Sequence, residues 1–68
     1  MSKYEKYGIL LKNLMDTLGD QANSLRYGDV TTARALNQQA RDYLTKADQR
    51  RKEIIYELDT GETRTHAN

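Results

Sequence analysis

The side chains that could perform acid–base or nucleophilic chemistry in this sequence are few and scattered. The chain has one histidine and no cysteine, and the histidine, His66, falls in a polar C-terminal stretch. Such catalysis needs a nucleophile, a base and an orienting group within hydrogen-bond reach of one another, and Ser2 and Ser24 have no base nearby in the sequence. We therefore predict that the protein is not an enzyme.

The acidic residues are too dispersed to predict a metal site. Asp16 and Asp20 lie one helical turn apart, as do Glu53 and Glu57. This spacing is more typical of a solvated helix face than of a set of divalent-ion ligands. The 4 glycines are too far apart to form a phosphate-binding loop. The sequence predicts no metal, no cofactor and no small-molecule substrate.

The clearest concentration of functional groups is a set of basic side chains interleaved with tyrosines. Basic residues dominate between Arg34 and Lys52, and a chain reversal would bring Lys3, Lys6 and Lys12 beside them. A nucleic-acid surface uses such a combination, although a solvated helix face whose basic stems cover apolar neighbours has the same composition. The candidate nucleic-acid contacts are Lys6, Lys46, Arg50, Arg51 and Lys52.

The spacing of apolar residues positions these side chains on two helices. Apolar residues recur at three- and four-residue intervals from Tyr4 to Leu25, and again from Val30 to Leu58, which is the pattern of amphipathic helices. Signals for helix ends bound both segments. These signals are a capping box formed by Ser2 and Glu5, an N-cap at Asp29, and stops at Gly28 and Gly61.

The sequence therefore predicts an all-α fold, an antiparallel two-helix hairpin. We place the hairpin at 1–61, with helices over 3–27 and 30–59, a turn at 28–29, and a polar, disordered tail over 62–68. Alanine at every seventh position of the second helix suits a closely packed coiled-coil seam. The predicted layers pair Leu25 with Ala33, Leu18 with Ala40, Leu11 with Ala47 and Tyr4 with Ile54.

Two helices leave part of this apolar surface uncovered. A domain of 68 residues buries only about 60% of the surface that its unfolded chain exposes. We expect Leu10, Ile55 and Tyr56 to point away from the seam, with Met15 and Tyr43 on its side. A second hairpin or a larger partner should complete a four-helix bundle. The candidate protein contacts are Leu10, Met15, Tyr43, Ile55 and Tyr56.

Two known kinds of small hairpin resemble this sequence in outline. Its size, alanine-rich seam and polar tail are similar to the plasmid copy-number hairpins, and this resemblance implies a dimeric four-helix bundle that binds paired RNA loops. The triplet Glu57-Leu58-Asp59 resembles the acidic triplet of the hairpin phosphatases that act on sporulation response regulators, but Tyr56 stands where that family has glutamine. Because likeness of fold does not establish function, neither activity is carried over.

The sequence predicts a non-enzymatic protein–protein interaction module, a small adaptor, co-chaperone or regulator that forms a homodimer or binds a larger protein. A cytoplasmic location is expected, because the chain lacks cysteine, a membrane-spanning run and a signal-peptide pattern. The alternative is a small dimeric nucleic-acid-binding regulator that uses the basic face. The net charge of +1 provides no global attraction to a polyanion or a membrane.

Overall fold

The protein is an antiparallel helical hairpin in the computed structural model, which describes residues 2–61. Helix α1 spans Lys3–Arg26 and helix α2 spans Val30–Thr60. The two helices pack side by side in a body of 55 × 20 × 16 Å. The predicted all-α hairpin is therefore confirmed. The predicted tail at 62–68, with His66, lies outside the described residues.

Local hydrogen bonds explain where α1 begins. The Ser2 hydroxyl accepts from the Glu5 backbone N–H at 3.1 Å, and the Glu5 carboxylate accepts from the Ser2 N–H at 3.4 Å. This is the predicted capping box, which pairs two N–H groups that the helix itself leaves free. The helix then continues without a break through Gly8 and Gly19 to Arg26, one residue before the predicted end.

The chain reverses at Gly28 and Asp29, as predicted. Gly28 has a φ of +73°, and the Asp29 N–H donates to the Ser24 carbonyl at 2.9 Å. The Asp29 carboxylate caps α2 by accepting from the Thr32 N–H at 3.1 Å. Hydrogen bonds from Thr32 hold the pKa of Asp29 below its usual 3.8. Gly61, with φ +74°, ends α2 one residue later than predicted.

A matched pair of substitutions isolates the conformational role of Gly28. A Cβ added at Gly28 or at Gly19 would meet no atom within 4 Å, but only Gly28 has a positive φ. We expect Gly28→Ala to lower the free energy of unfolding by about 1 kcal/mol, because alanine is strained in the left-handed region. Gly19→Ala should raise it by about 1 kcal/mol through helix propensity. Urea unfolding followed by circular dichroism measures both, and two changes of the same sign would contradict the assignment.

The seam between the helices is built on small side chains of α2. Ala33, Ala40, Ala47 and Ile54 are all buried, as the spacing of seven residues predicted. Alanines at these positions let the two backbones approach closely. The intervening seam positions lie three residues further along and carry the partly or fully buried Leu36, Tyr43, Arg50 and Glu57. Together the two series form the a and d positions of a heptad repeat.

On α1, the side that faces the seam differs from the prediction. Eight positions of α1 are partly or fully buried: Tyr7, Leu10, Leu11, Asn13, Leu14, Thr17, Gln21 and Ser24. Apart from Leu11 and Asn13, they alternate by three and four residues. Leu18 and Leu25 are 47% and 54% exposed. The prediction that these two leucines fill the centre of the seam is therefore wrong, and so is the expectation that Leu10 points away from the seam. Relative to the prediction, α1 is therefore rotated about its axis, and Thr17 and Ser24 take the seam positions expected for Leu18 and Leu25.

Thr17 and Gln21 can occupy this seam because their polar groups are hydrogen-bonded. Thr17, only 6% exposed, donates its hydroxyl to the Asn13 carbonyl at 2.8 Å. Gln21 reaches across the seam and donates to the Ala33 carbonyl at 3.2 Å. A buried polar group that is hydrogen-bonded avoids most of its desolvation cost. The polar half of the α1 seam is thus compatible with burial, and the leucines are displaced to one side.

Candidate interaction surfaces

One side of the hairpin collects most of the large apolar side chains that the fold leaves exposed. Each of them comes directly after a seam position in the sequence. On α1, for example, Leu18 follows Thr17, and on α2 Leu44 follows Tyr43 and Leu58 follows Glu57. In an antiparallel pair, such positions lie on the same side of both helices. We call this surface the apolar flank. It consists of the exposed Tyr4, Met15, Leu18, Leu25, Val30, Leu44 and Leu58, together with the partly buried Leu11 and the small Ala22.

The exposure of the apolar flank is large for so small a protein. Leu44 and Leu58 are 57% and 51% exposed, and Met15 is 70% exposed. At the turn, Leu25 and Val30 line a shallow groove together with Ala33, which places the ends of the two helices on one continuous surface. Single exposed apolar residues are ordinary, but a contiguous strip of them is characteristic of an interaction site.

The opposite side of the hairpin carries a groove with basic walls, which we call the basic groove. It has a volume of about 740 Å³ and is lined by Lys6, Ile9, Leu10, Lys46, Gln49, Arg50 and Glu53. The Arg50 guanidinium lies 3.3 Å from the Glu53 carboxylate, so one of its three cations is already paired. The basic groove therefore combines an apolar floor with a modest excess of positive charge.

The structure brings together only some of the predicted nucleic-acid contacts. Lys6, Lys46 and Arg50 line the basic groove, whereas Arg51 and Lys52 do not. Lys52 instead pairs with Asp48, one helical turn away, at 3.4 Å. Arg50 pairs with Glu53. The ring contact within residues 2–61 is made by Lys3, whose Nζ lies 5.6 Å from the centre of the Tyr4 ring.

The predicted protein-contact residues fall on several surfaces. Met15 lies on the apolar flank, whereas Leu10 and Tyr43 are partly buried in the seam. Ile55 is partly buried, and Tyr56 is 48% exposed on the side away from the apolar flank. The sequence interpretation missed the main leucines of the apolar flank because it assigned them to the seam. Their regular spacing was the available signal, but it marks a helix face without saying what covers it.

The open end of the hairpin is closed by a buried carboxylate that the sequence did not indicate. Glu57 is only 8% exposed. Its carboxylate accepts from the Tyr4 hydroxyl and lies 3.4 Å from Lys3 Nζ. The pKa of Tyr4 is raised above its ordinary 10.0, mainly by the hydrogen bond to Glu57 and to a smaller extent by desolvation. Because these contacts join the two helices, we interpret this cluster as a latch between the N-terminal turn of α1 and the last turns of α2.

The latch gives the hairpin a dependence on alkaline pH. Folding raises the pKa of Tyr4 above 10.0. The contribution of the Tyr4–Glu57 hydrogen bond to the free energy of unfolding is therefore complete below pH 10.0 and is lost as the pH rises through the raised pKa. We expect Tyr4→Phe to lower the free energy of unfolding at neutral pH, and the difference from wild type to shrink as the pH rises above the raised pKa of Tyr4. Urea unfolding at a series of pH values from neutral to alkaline measures this difference. Tyr27→Phe, at a 78% exposed position, is the control, and the same pH-dependent difference there would contradict the assignment.

Residues 2–61 hold no group of three or more His, Cys, Asp or Glu side chains arranged to bind a metal ion. Neither α1 nor α2 has the length and apolar character needed to cross a membrane. No known protein family, curated protein or solved structure shows significant similarity to the chain.

Proposed function

We propose that the protein is a helical protein–protein interaction module that docks through its apolar flank. The observation that carries the proposal is the collection of half-exposed large apolar side chains on one side of the hairpin. Such a module would work as a small adaptor, co-chaperone or regulator. It acts by binding and not by catalysis, and the cysteine-free composition favours a cytoplasmic setting.

The apolar surface that the hairpin leaves uncovered can supply the free energy of docking. Full burial of a leucine contributes about 1.5–3 kcal/mol relative to exposure, so each half-exposed leucine of the apolar flank retains about 1 kcal/mol that a partner could recover. Helices that present such a strip commonly complete a bundle of four. We therefore propose a four-helix bundle, in which a second hairpin or two helices of a larger protein cover Leu18, Leu25 and Leu44.

A pull-down with the full chain as bait tests this function. Leu18→Glu places a charge in the centre of the apolar flank, and Asn23→Glu places the same charge at an exposed position elsewhere on α1. Proteins bound by wild type and by Asn23→Glu should be lost with Leu18→Glu. Circular dichroism establishes that both variants are helical. Retention of every bound protein by Leu18→Glu would overturn the proposal.

The basic groove supports a second candidate function, the binding of nucleic acid. Lys6, Lys46 and Arg50 line one groove, and cations placed in this way can contact successive phosphates. Fluorescence titration with an RNA hairpin and with duplex DNA should then show affinity that falls steeply with salt. Lys46→Gln combined with Arg50→Gln should reduce that slope, whereas Arg34→Gln, near the turn, should not. Absence of binding at low salt would eliminate this candidate.

A further inference from the structure

We infer that the occupant of the apolar flank is a second copy of this chain, with α1 of one copy packed antiparallel on α1 of the other. The inference rests on the proposed function, since it names the partner of the same surface. It predicts which residues meet across the dimer and where the two-fold axis lies. Three features of α1 support it: the angle between its two apolar strips, the order of side chains along the outer strip, and the charges beside it.

The first feature is that α1 has two strips, each with heptad spacing. One is the seam, centred on residues such as Leu10 and Leu14. The outer strip alternates by four and three residues and consists of Tyr4, Gly8, Leu11, Met15, Leu18, Ala22 and Leu25. With 3.6 residues per turn, the centres of the two strips lie roughly 100° apart around the helix. A helix at the corner of a four-helix bundle needs this angle, because it contacts two neighbours.

The second feature is that the outer strip complements itself when reversed. Placing Met15 opposite Leu18 of the second copy sets Leu11 opposite Ala22 and Gly8 opposite Leu25. Each leucine then meets a small side chain or the flexible methionine, the alternation that close helix packing favours. By two-fold symmetry every contact occurs twice. A strip built for an unrelated partner has no reason to match its own reversed order.

The third feature is the charge beside the outer strip. In the same register, Glu5 of one copy lies on the same side of the outer strip as Arg26 of the other, two residues, or about 3 Å, from being level with it. Both positions are exposed in the hairpin, so their side chains can reach across. The antiparallel arrangement thus makes an opposite-charge pair at each end. A parallel arrangement would leave Glu5 and Arg26 at opposite ends of the interface, where they could not pair.

The residues of α2 on the same side as the outer strip of α1 do not form a comparable strip, so α1 lies at the centre of the proposed dimer contact. They include Val30, Leu44 and Leu58, but arginines interrupt them at Arg34 and Arg41. An uninterrupted apolar strip is therefore present on α1 and absent from the described residues of α2. In the proposed dimer, the two α1 helices pack at the centre and the apolar residues of α2 extend the interface outward.

Cross-linking of the full chain tests the arrangement, because the natural sequence has no cysteine. A Glu5→Cys chain mixed with an Arg26→Cys chain should be joined by a short bis-maleimide. Either chain alone should not, since identical positions would lie about 30 Å apart along the antiparallel helices. The mixed dimer still keeps one intact Glu5–Arg26 pair at its other end. Cross-linking of each chain to itself, without the mixed product, would overturn the antiparallel assignment.

Sedimentation equilibrium tests the occupant itself. Wild type and Asn23→Glu should be dimers at micromolar concentration, and Leu18→Glu should be a monomer. Arg26→Glu should weaken the dimer about tenfold, and the double variant Glu5→Arg with Arg26→Glu should recover most of that loss. A wild-type monomer whose partners still depend on Leu18 would overturn this inference and leave the proposed function standing. A dimer that tolerates Leu18→Glu would contradict the self-association proposed for the apolar flank.

Discussion

Replacement of Ile54 by alanine is expected to lower the free energy of unfolding by about 3 kcal/mol. Ile54 is 1% exposed and is the most fully buried large side chain of the hairpin. Its truncation would remove apolar contacts and leave a cavity between the helices, and such substitutions commonly cost about 2–5 kcal/mol. Since a small domain has roughly 5 kcal/mol of stability, this one change should leave about 2 kcal/mol and raise the unfolded fraction to a few per cent.

The matched control for that prediction is Ile9→Ala, which removes the same atoms from a residue that is 46% exposed. Ile9 lies on the side of the basic groove, so its loss should cost well under half as much. Thermal and urea unfolding at one protein concentration measure both variants. Equal losses for the two substitutions would show that burial in the seam does not distinguish Ile54.

Enlargement of a seam alanine should have the second largest effect. Ala40 is 6% exposed at the middle of α2, where it allows close approach of the two backbones. Ala40→Leu must push the helices apart or strain its own side chain, and such overpacking costs about 1–3 kcal/mol. The substitution also uncouples Gln21 from the Ala33 carbonyl if the helices separate along their length.

Ala35→Leu is the control for this enlargement, because Ala35 is exposed on the same helix and leucine has nearly the helix propensity of alanine. It should change the free energy of unfolding by less than about 0.5 kcal/mol. Hydrogen exchange at the amides of the seam would locate the disturbance. If Ala40→Leu were as well tolerated as Ala35→Leu, the helices could not be in the close contact described.

The ends of the helices could be predicted because their causes are local. The capping box at Ser2 and Glu5, the positive φ of Gly28 and Gly61, and the N-cap at Asp29 each involve residues within a few positions of one another. Such interactions are present whatever the rest of the chain does. The burial of the alanines of α2 could also be predicted, because a repeat of seven residues marks one face of a helix.

The candidate site could be predicted only in part, because α1 presents two neighbouring strips with the same spacing. Periodicity alone treats Leu10 and Leu11, or Thr17 and Leu18, as equivalent candidates for the seam. The composition favoured the leucines. In the structure, the strip with Thr17 and Gln21 faces α2, and the polar groups of these two residues are hydrogen-bonded to the Asn13 and Ala33 carbonyls. The leucines therefore lie on the apolar flank.

The sequence by itself determined two helices, their limits, the reversal at Gly28 and the face of α2 that packs. Only the tertiary structure decided the rotation of α1, the apolar flank that follows from it, and the burial of Glu57 against Lys3 and Tyr4. The physical reason is the range of the interactions. Helix caps and propensities act between near neighbours, whereas the rotation of one helix against another depends on contacts between residues far apart in the chain.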